Sequence, residues 1–105
     1  MTTFKEKLVR DRIPDLIGAD ARVRLASPKE LWSLLKEKLL EEAMELYDAQ
    51  PSSETEELAD VIEVVEALRQ YIDQRSAGSL DRVRSQKADL KGVFNEGRVM
   101  LVKDS

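Results

Sequence analysis

Apolar residues recur at helical spacing through two long stretches, and the residues around those stretches set their ends. In the first, Leu31, Leu35, Leu46 and Ala49 share one stripe at about 100° per residue. Ser27 opens a capping box with Glu30, and Pro28 takes the first helical position, so a helix is expected from about Pro28 to about Ala49. "QPSS" interrupts the pattern. Ser53 and Glu56 form a second capping box, which starts a helix running to about Gln74. Its apolar arc is built from Leu58, Val61, Ile62, Val64, Val65, Ala67, Leu68, Tyr71 and Ile72. A connection of about three residues folds the two helices back as an antiparallel hairpin.

Shorter elements flank the hairpin. "KLVRDRIPDLIGAD" predicts a short strand or coil and then a turn or two of helix, with Pro14 in the first turn and Gly18 near the end. "ARVRLAS" sets Ala21, Val23 and Leu25 against Arg22 and Arg24, the period-2 alternation of a half-buried strand. The C-terminal "GRVMLVK" favours strand by composition, and pairing the two segments predicts a small antiparallel ribbon joining the chain ends. Ser79 can cap a third helix from Leu80 to Lys91, which Gly92 stops, and "RSAGS" ahead of it reads as a flexible linker. The expected fold is all-α, one domain over residues 1–105: a helical hairpin plus a third helix, with a small terminal β ribbon as an accessory.

Acidic side chains break this pattern. Residues 41–61, "EEAMELYDAQPSSETEELADV", hold eight carboxylates, and four fall where a buried face should be apolar. Glu42 projects between Leu31, Leu35, Leu46 and Ala49, with Glu45 about 60° to one side, while Glu37, Glu41 and Asp48 point away. Glu57 and Asp60 project from within the apolar arc of the second helix, whereas Glu56, Glu63 and Glu66 take its outer side. With Pro51 as the turn, Glu45 and Glu57 each lie six residues away and Glu42 and Asp60 each nine, so the hairpin brings four carboxylates together in two rungs. The rungs are ~4.5 Å apart along helices whose axes are ~8 to 10 Å apart. Each close pair repels by ~3 kcal/mol at an effective dielectric near 20, so the cluster must protonate, splay outward or bind a cation. A lone ExxE is expected by chance about four times in a chain this acidic; two such pairs, mirror-related across a short turn and both on apolar faces, are a far more specific signal.

Composition narrows the chemistry. The 105 residues include neither cysteine nor histidine, which removes disulfides, thiolate and imidazole zinc sites and any His-based dyad or triad. With oxygen ligands only, the fitting ion is Mg²⁺ or Mn²⁺. The 21 acids against 17 bases give a net charge of −4, so no global basic field draws the chain to nucleic acid or to an anionic membrane. No apolar run approaches the roughly 20 residues of a membrane span, and "MTTFKEKLVRDRIP" lacks the apolar centre of a signal peptide, so a cytoplasmic location is the expectation.

An anionic ligand then needs local cations, and two groups qualify. Lys87 projects into the Leu80, Val83, Leu90 stripe of the third helix with Arg84 and Lys91 on its flank, either as a basic face for phosphate or as a snorkelling lysine with its neighbours. Lys7, Arg10 and Arg12 in "KLVRDR" form the second group, either for phosphate or for pairing with Asp11. Trp32, about 80° from Glu42, suits the core or a base-stacking platform. The arc of the second helix spans about 220°, more than one hairpin partner and a thin third helix can cover, and a homodimer is the simplest cover.

"EEAMEL" followed by "EELADV" resembles the paired ExxE and ExxD signature of the MazG-like all-α nucleoside triphosphate pyrophosphohydrolases, the superfamily of phosphoribosyl-ATP pyrophosphohydrolase and dimeric dUTPases. The opening "KLVRDRIP" and the closing "KGVFNEG" are similar to its house-cleaning noncanonical NTP pyrophosphatases. This resemblance implies Glu42, Glu45, Glu57 and Asp60 as catalytic Mg²⁺ ligands, with Mn²⁺ an alternative, and favours Lys7, Arg10 and Arg12 as substrate-binding. It implies cleavage of a nucleoside triphosphate to monophosphate and pyrophosphate by a homodimer or homotetramer. Two alternatives stand beside it: phosphoribosyl-ATP pyrophosphohydrolase activity, or a non-enzymatic helical module for oligomerisation or metal binding.

Overall fold

A computed structural model describes residues 5–75 and 79–103. Four α-helices follow in order: α1 (Ile13–Ile17), α2 (Pro28–Asp48), α3 (Glu54–Arg75) and α4 (Leu80–Lys91). The fold is all-α, as the periodicity predicts. The chain divides into two compact units, Met1–Tyr71 and Ile72–Ser105.

In the first unit, local chemistry sets where α2 begins. The Ser27 hydroxyl accepts from the Glu30 backbone N–H at 3.2 Å, and the Glu30 carboxylate accepts from the Ser27 N–H at 3.3 Å, so two amides that the helix leaves without partners are bonded. Arg24 then grips the Glu30 carboxylate with two guanidinium nitrogens at 2.9 and 2.7 Å and also donates to Glu6. That fork holds the Glu30 carboxyl below its usual range. At the far end Ala49 and Gln50 are extended, and Pro51–Ser53 closes one 3₁₀ turn, the Ser53 N–H donating to the Gln50 carbonyl at 2.9 Å. The turn leads directly into α3 at Glu54.

The expected ribbon does not form: the described residues contain no strand. Leu25 is 92% exposed, and Val99 and Leu101 are 94% and 99% exposed, so neither segment has a face to bury. Arg24, read as the polar side of a strand, instead ties its segment to the capping box of α2. Before α1 the chain is coil from Lys5 to Arg10, and Gly18 ends that helix in the left-handed region at φ 90°. In the second unit, α4 has the expected limits, with Ser79 accepting from the Arg82 N–H at 3.1 Å and Gly92 at φ 82° closing the helix. Of the "RSAGS" linker, residues 76–78 lie outside the described residues.

The most buried described side chains are Leu35, Glu42 and Val64, at 6%, 7% and 9% exposure. All three come from the hairpin helices, and one is a carboxylate as buried as the leucine. Trp32 of α2 stacks on Tyr71 of α3, with centroids 4.6 Å apart and planes 16° from parallel, and Lys36 Nζ lies 5.3 Å from the Trp32 ring centre. Trp32 is therefore a fastener of the hairpin, and its indole reports on hairpin integrity.

Urea unfolding followed by the fluorescence of this single tryptophan should separate local from packing contributions. Ser27→Ala is expected to destabilise by about 1 kcal/mol through loss of the cap. Leu35→Ala should cost about 2 to 4 kcal/mol through loss of packing in the hairpin.

Candidate metal centre

Glu42, Glu57 and Asp60 each offer a carboxylate oxygen within 4.8 Å of the other two. Glu42 comes from the middle of α2, and Glu57 and Asp60 come from consecutive turns at the start of α3. The short turn at Pro51 sets the register that joins them. Glu45 is exposed and belongs to a second such set with Glu41 and Glu42, so Glu42 is the member common to both groups.

Burial makes this more than an acidic surface. Oε2 of Glu42 and Oε2 of Glu57 are buried with no hydrogen-bond partner among the described residues. A buried acceptor without a donor is destabilising by about 1 to 3 kcal/mol, and more when it is charged. Two such oxygens in one cluster of hard donors have the character of ligand atoms for a divalent cation of the Mg²⁺ or Mn²⁺ type. The donor set, oxygen only and drawn from two helices, is of the type that such an ion takes.

Three cations approach the cluster from the protein itself. Lys38, one helical turn before Glu42, lies 3.2 Å from Glu42 Oε1 and 3.5 Å from Glu41 Oε1, and its side chain is only 17% exposed. Lys7 reaches Glu41 at 3.1 Å. Arg10 donates from Nη2 to Asp60 Oδ1 at 2.6 Å. The segment from Lys5 to Arg10 is thereby fastened to both hairpin helices, and a cleft of about 350 Å³ between it and α2 is lined by Lys5, Lys7, Leu34, Glu37, Lys38 and Glu41.

These neighbours drive adjacent carboxyls in opposite directions. Burial pushes Glu42 above its ordinary range, and the nearby Glu45 adds to that, against the pull of Lys38. The hydrogen bond from Lys7 holds Glu41 below its ordinary range, with help from Lys38, and the same bond raises Lys7. Two consecutive glutamates thus shift in opposite directions, Glu41 toward the ionised form and Glu42 toward the protonated one.

Of the residues singled out from sequence, Glu42, Glu57 and Asp60 come together with Arg10 on Asp60, whereas Glu45, expected opposite Glu57, groups instead with Glu42 and with Glu41, the partner of Lys7. Arg12 is exposed at the start of α1. Arg84, Lys87 and Lys91 are exposed on α4 in the second unit, where Arg84 lies 3.5 Å from Asp81. Sequence reasoning passed over Lys38 and set Glu41 facing away. The signal for Lys38 was present in its i, i+4 spacing to Glu42 and its place on the same stripe. No family model, curated protein or solved structure matches the chain.

Two measurements check this electrostatic picture. With chelator present, Glu42→Gln should be more stable than the wild type at pH 7, because a carboxyl whose folded pKa is raised opposes folding once ionised. That difference should shrink as pH falls through the carboxylate range and the wild-type group takes up its proton. Saturating Mn²⁺, at about 100 times its dissociation constant, should raise the wild-type melting temperature by roughly 10 °C, and Glu42→Gln should lose most of that rise.

Proposed function

We propose that the chain is a Mg²⁺-dependent nucleoside triphosphate pyrophosphohydrolase, releasing a nucleoside monophosphate and pyrophosphate. The observation that carries this is the pair of buried, unpartnered carboxylate oxygens on Glu42 and Glu57, within ligand distance of Asp60 and bordered by Lys7, Arg10 and Lys38. Carboxylates for a hard cation beside donors for phosphate oxygens are what phosphoryl transfer requires. The likeness of "EEAMEL" and "EELADV" to the MazG-like signature supports the same reading, with a noncanonical nucleotide as the substrate class.

Glu42, Glu57 and Asp60 would hold the ion, with Glu45 alongside. When bound, the ion neutralises phosphate charge and makes an adjacent water more acidic. The chain's own residues do the rest. Lys7, Arg10 and Lys38 orient and neutralise the phosphate oxygens. Glu45, exposed and next to Glu42, accepts the proton of the water that attacks phosphorus. The anhydride bond breaks and pyrophosphate leaves.

The partner of the hairpin in this proposal is a second copy of the chain. Leu40, Met44 and Tyr47 on α2 are 70%, 61% and 86% exposed, and Leu58 and Ile62 on α3 are 47% and 51% exposed. Side chains of this size at i, i+4, i+7 spacing suit the closing of two hairpins into a four-helix bundle.

Purified protein with Mg²⁺ or Mn²⁺ should release pyrophosphate from some member of a panel of normal and altered nucleoside triphosphates; silence across the panel overturns the proposal. Glu42→Gln and Asp60→Asn should each lower kcat by about 100-fold or more with the circular dichroism unchanged. Ile62→Glu should convert a dimer in light scattering to a monomer, and a wild-type chain that is already monomeric would remove the partner from the scheme.

A further inference from the structure

The cations beside the cluster already have partners. Arg10 Nη2 is bonded to Asp60 Oδ1 at 2.6 Å, Lys38 lies 3.2 Å from Glu42 Oε1, and Lys7 lies 3.1 Å from Glu41 Oε1. Each of these groups is also a donor of the type that binds phosphate oxygens. A divalent cation and the protein's own cations therefore compete for the same carboxylates, and a phosphate and those carboxylates compete for the same donors.

We infer that the site works by partner exchange, with Arg10 as the exchanging residue. A divalent cation takes Asp60 together with the open Oε2 atoms of Glu42 and Glu57, and the Arg10 guanidinium passes from Asp60 to an oxygen of a phosphate or pyrophosphate group held beside the ion. This rests on the metal-dependent hydrolase proposed above and specifies how its two ligands depend on one another.

Three features of Arg10 favour the exchange. The Arg10 carbonyl accepts from the Ile13 N–H at 3.0 Å, so its backbone is pinned at the start of α1 while its side chain changes partner. The Arg10 side chain is 56% exposed and that of Asp60 39%, and an ion pair this exposed is weak enough to give way to a divalent ion. Glu42 is 7% exposed, and its free Oε2 gives the ion a foothold that does not require breaking the Lys38 contact to Oε1. Arrival of the ion frees a donor, and the donor's new partner holds the ion in place. Cation and phosphate binding thus reinforce one another.

Substitution at Arg10 distinguishes exchange from a clip that only fastens the N-terminal segment, because the two effects have opposite signs. Calorimetry with Mn²⁺ alone, and with inorganic pyrophosphate in excess Mn²⁺, reads both. Arg10→Met should bind Mn²⁺ about two- to fivefold more tightly, having lost the competitor at Asp60. It should bind pyrophosphate about tenfold or more weakly, having lost a charged donor. Arg10→Lys should fall between Arg10→Met and the wild type on both axes. A variant that binds Mn²⁺ less tightly, or pyrophosphate as well as the wild type does, overturns the exchange. Opposite shifts in a chain that hydrolyses no nucleotide support the exchange and overturn the hydrolase; a wild-type chain that takes up no Mn²⁺ overturns both.

Discussion

The carboxylate of Glu42 lies between two helices at the exposure of a core leucine, and the rest of the first unit is arranged around that fact. An ionised group taken out of water must be paired, protonated or bound to a metal. The chain supplies part of each answer. Lys38 pairs one oxygen, burial raises the carboxyl's affinity for a proton, and the second oxygen is left without a donor. Leu35 and Val64, buried on the same two helices, supply the apolar packing of the hairpin.

Register is the constraint that turns this burial into a cluster. Extended backbone at Ala49 and Gln50, followed by one 3₁₀ turn from Pro51, reverses the chain in so few residues that α3 has little freedom to slide along α2. The stacked Trp32–Tyr71 pair fixes the other end of the hairpin. With both ends fastened, the nine-residue separations of Glu42 and Asp60 from Pro51 become a spatial meeting. A residue inserted in α2 between Glu42 and the turn would carry Glu42 about 100° around the helix and off the face it shares with Glu57 and Asp60.

Much of this was legible in the sequence, because helix ends are written in local chemistry. The Ser27–Glu30 box, the Ser79 cap and the Gly92 stop each act within a few residues, and α2 and α4 begin and end within a residue of where those signals put them. The carboxylate cluster was legible for a related reason: angle around a helix and distance from a turn are nearly one-dimensional quantities. The partners of long side chains were not. Arg24 sits in an alternating stretch that reads as a strand, and only the position of Glu30 across the helix start shows that the arginine serves the cap instead. Lys38 hid inside an apolar stripe, where a flexible ammonium is as easily snorkelling as paired. The "KLVRDR" cluster suits phosphate binding or pairing with Asp11, but the carboxylate partners of Lys7 and Arg10 are Glu41 and Asp60, set by how an irregular segment crosses two helices, which no periodicity encodes.

Charge around the site adds a last step. Glu41, Glu42, Glu45, Glu57 and Asp60 are five carboxylates, and Lys7, Arg10 and Lys38 are three cations, so five less three leaves two negative charges without a counter-ion in the cluster. One proton on Glu42 would remove half of that excess, consistent with the direction in which burial drives this carboxyl. One divalent cation would remove all of it while giving the two buried, unpartnered oxygens a partner. Magnesium and manganese match that charge and the preference for oxygen donors, in a chain with no imidazole or thiolate to attract softer ions. A divalent ion there would bring the cluster to neutrality only with all three of its own cations still counted, so a cation that turned to a phosphate would do so by exchanging one anionic partner for another.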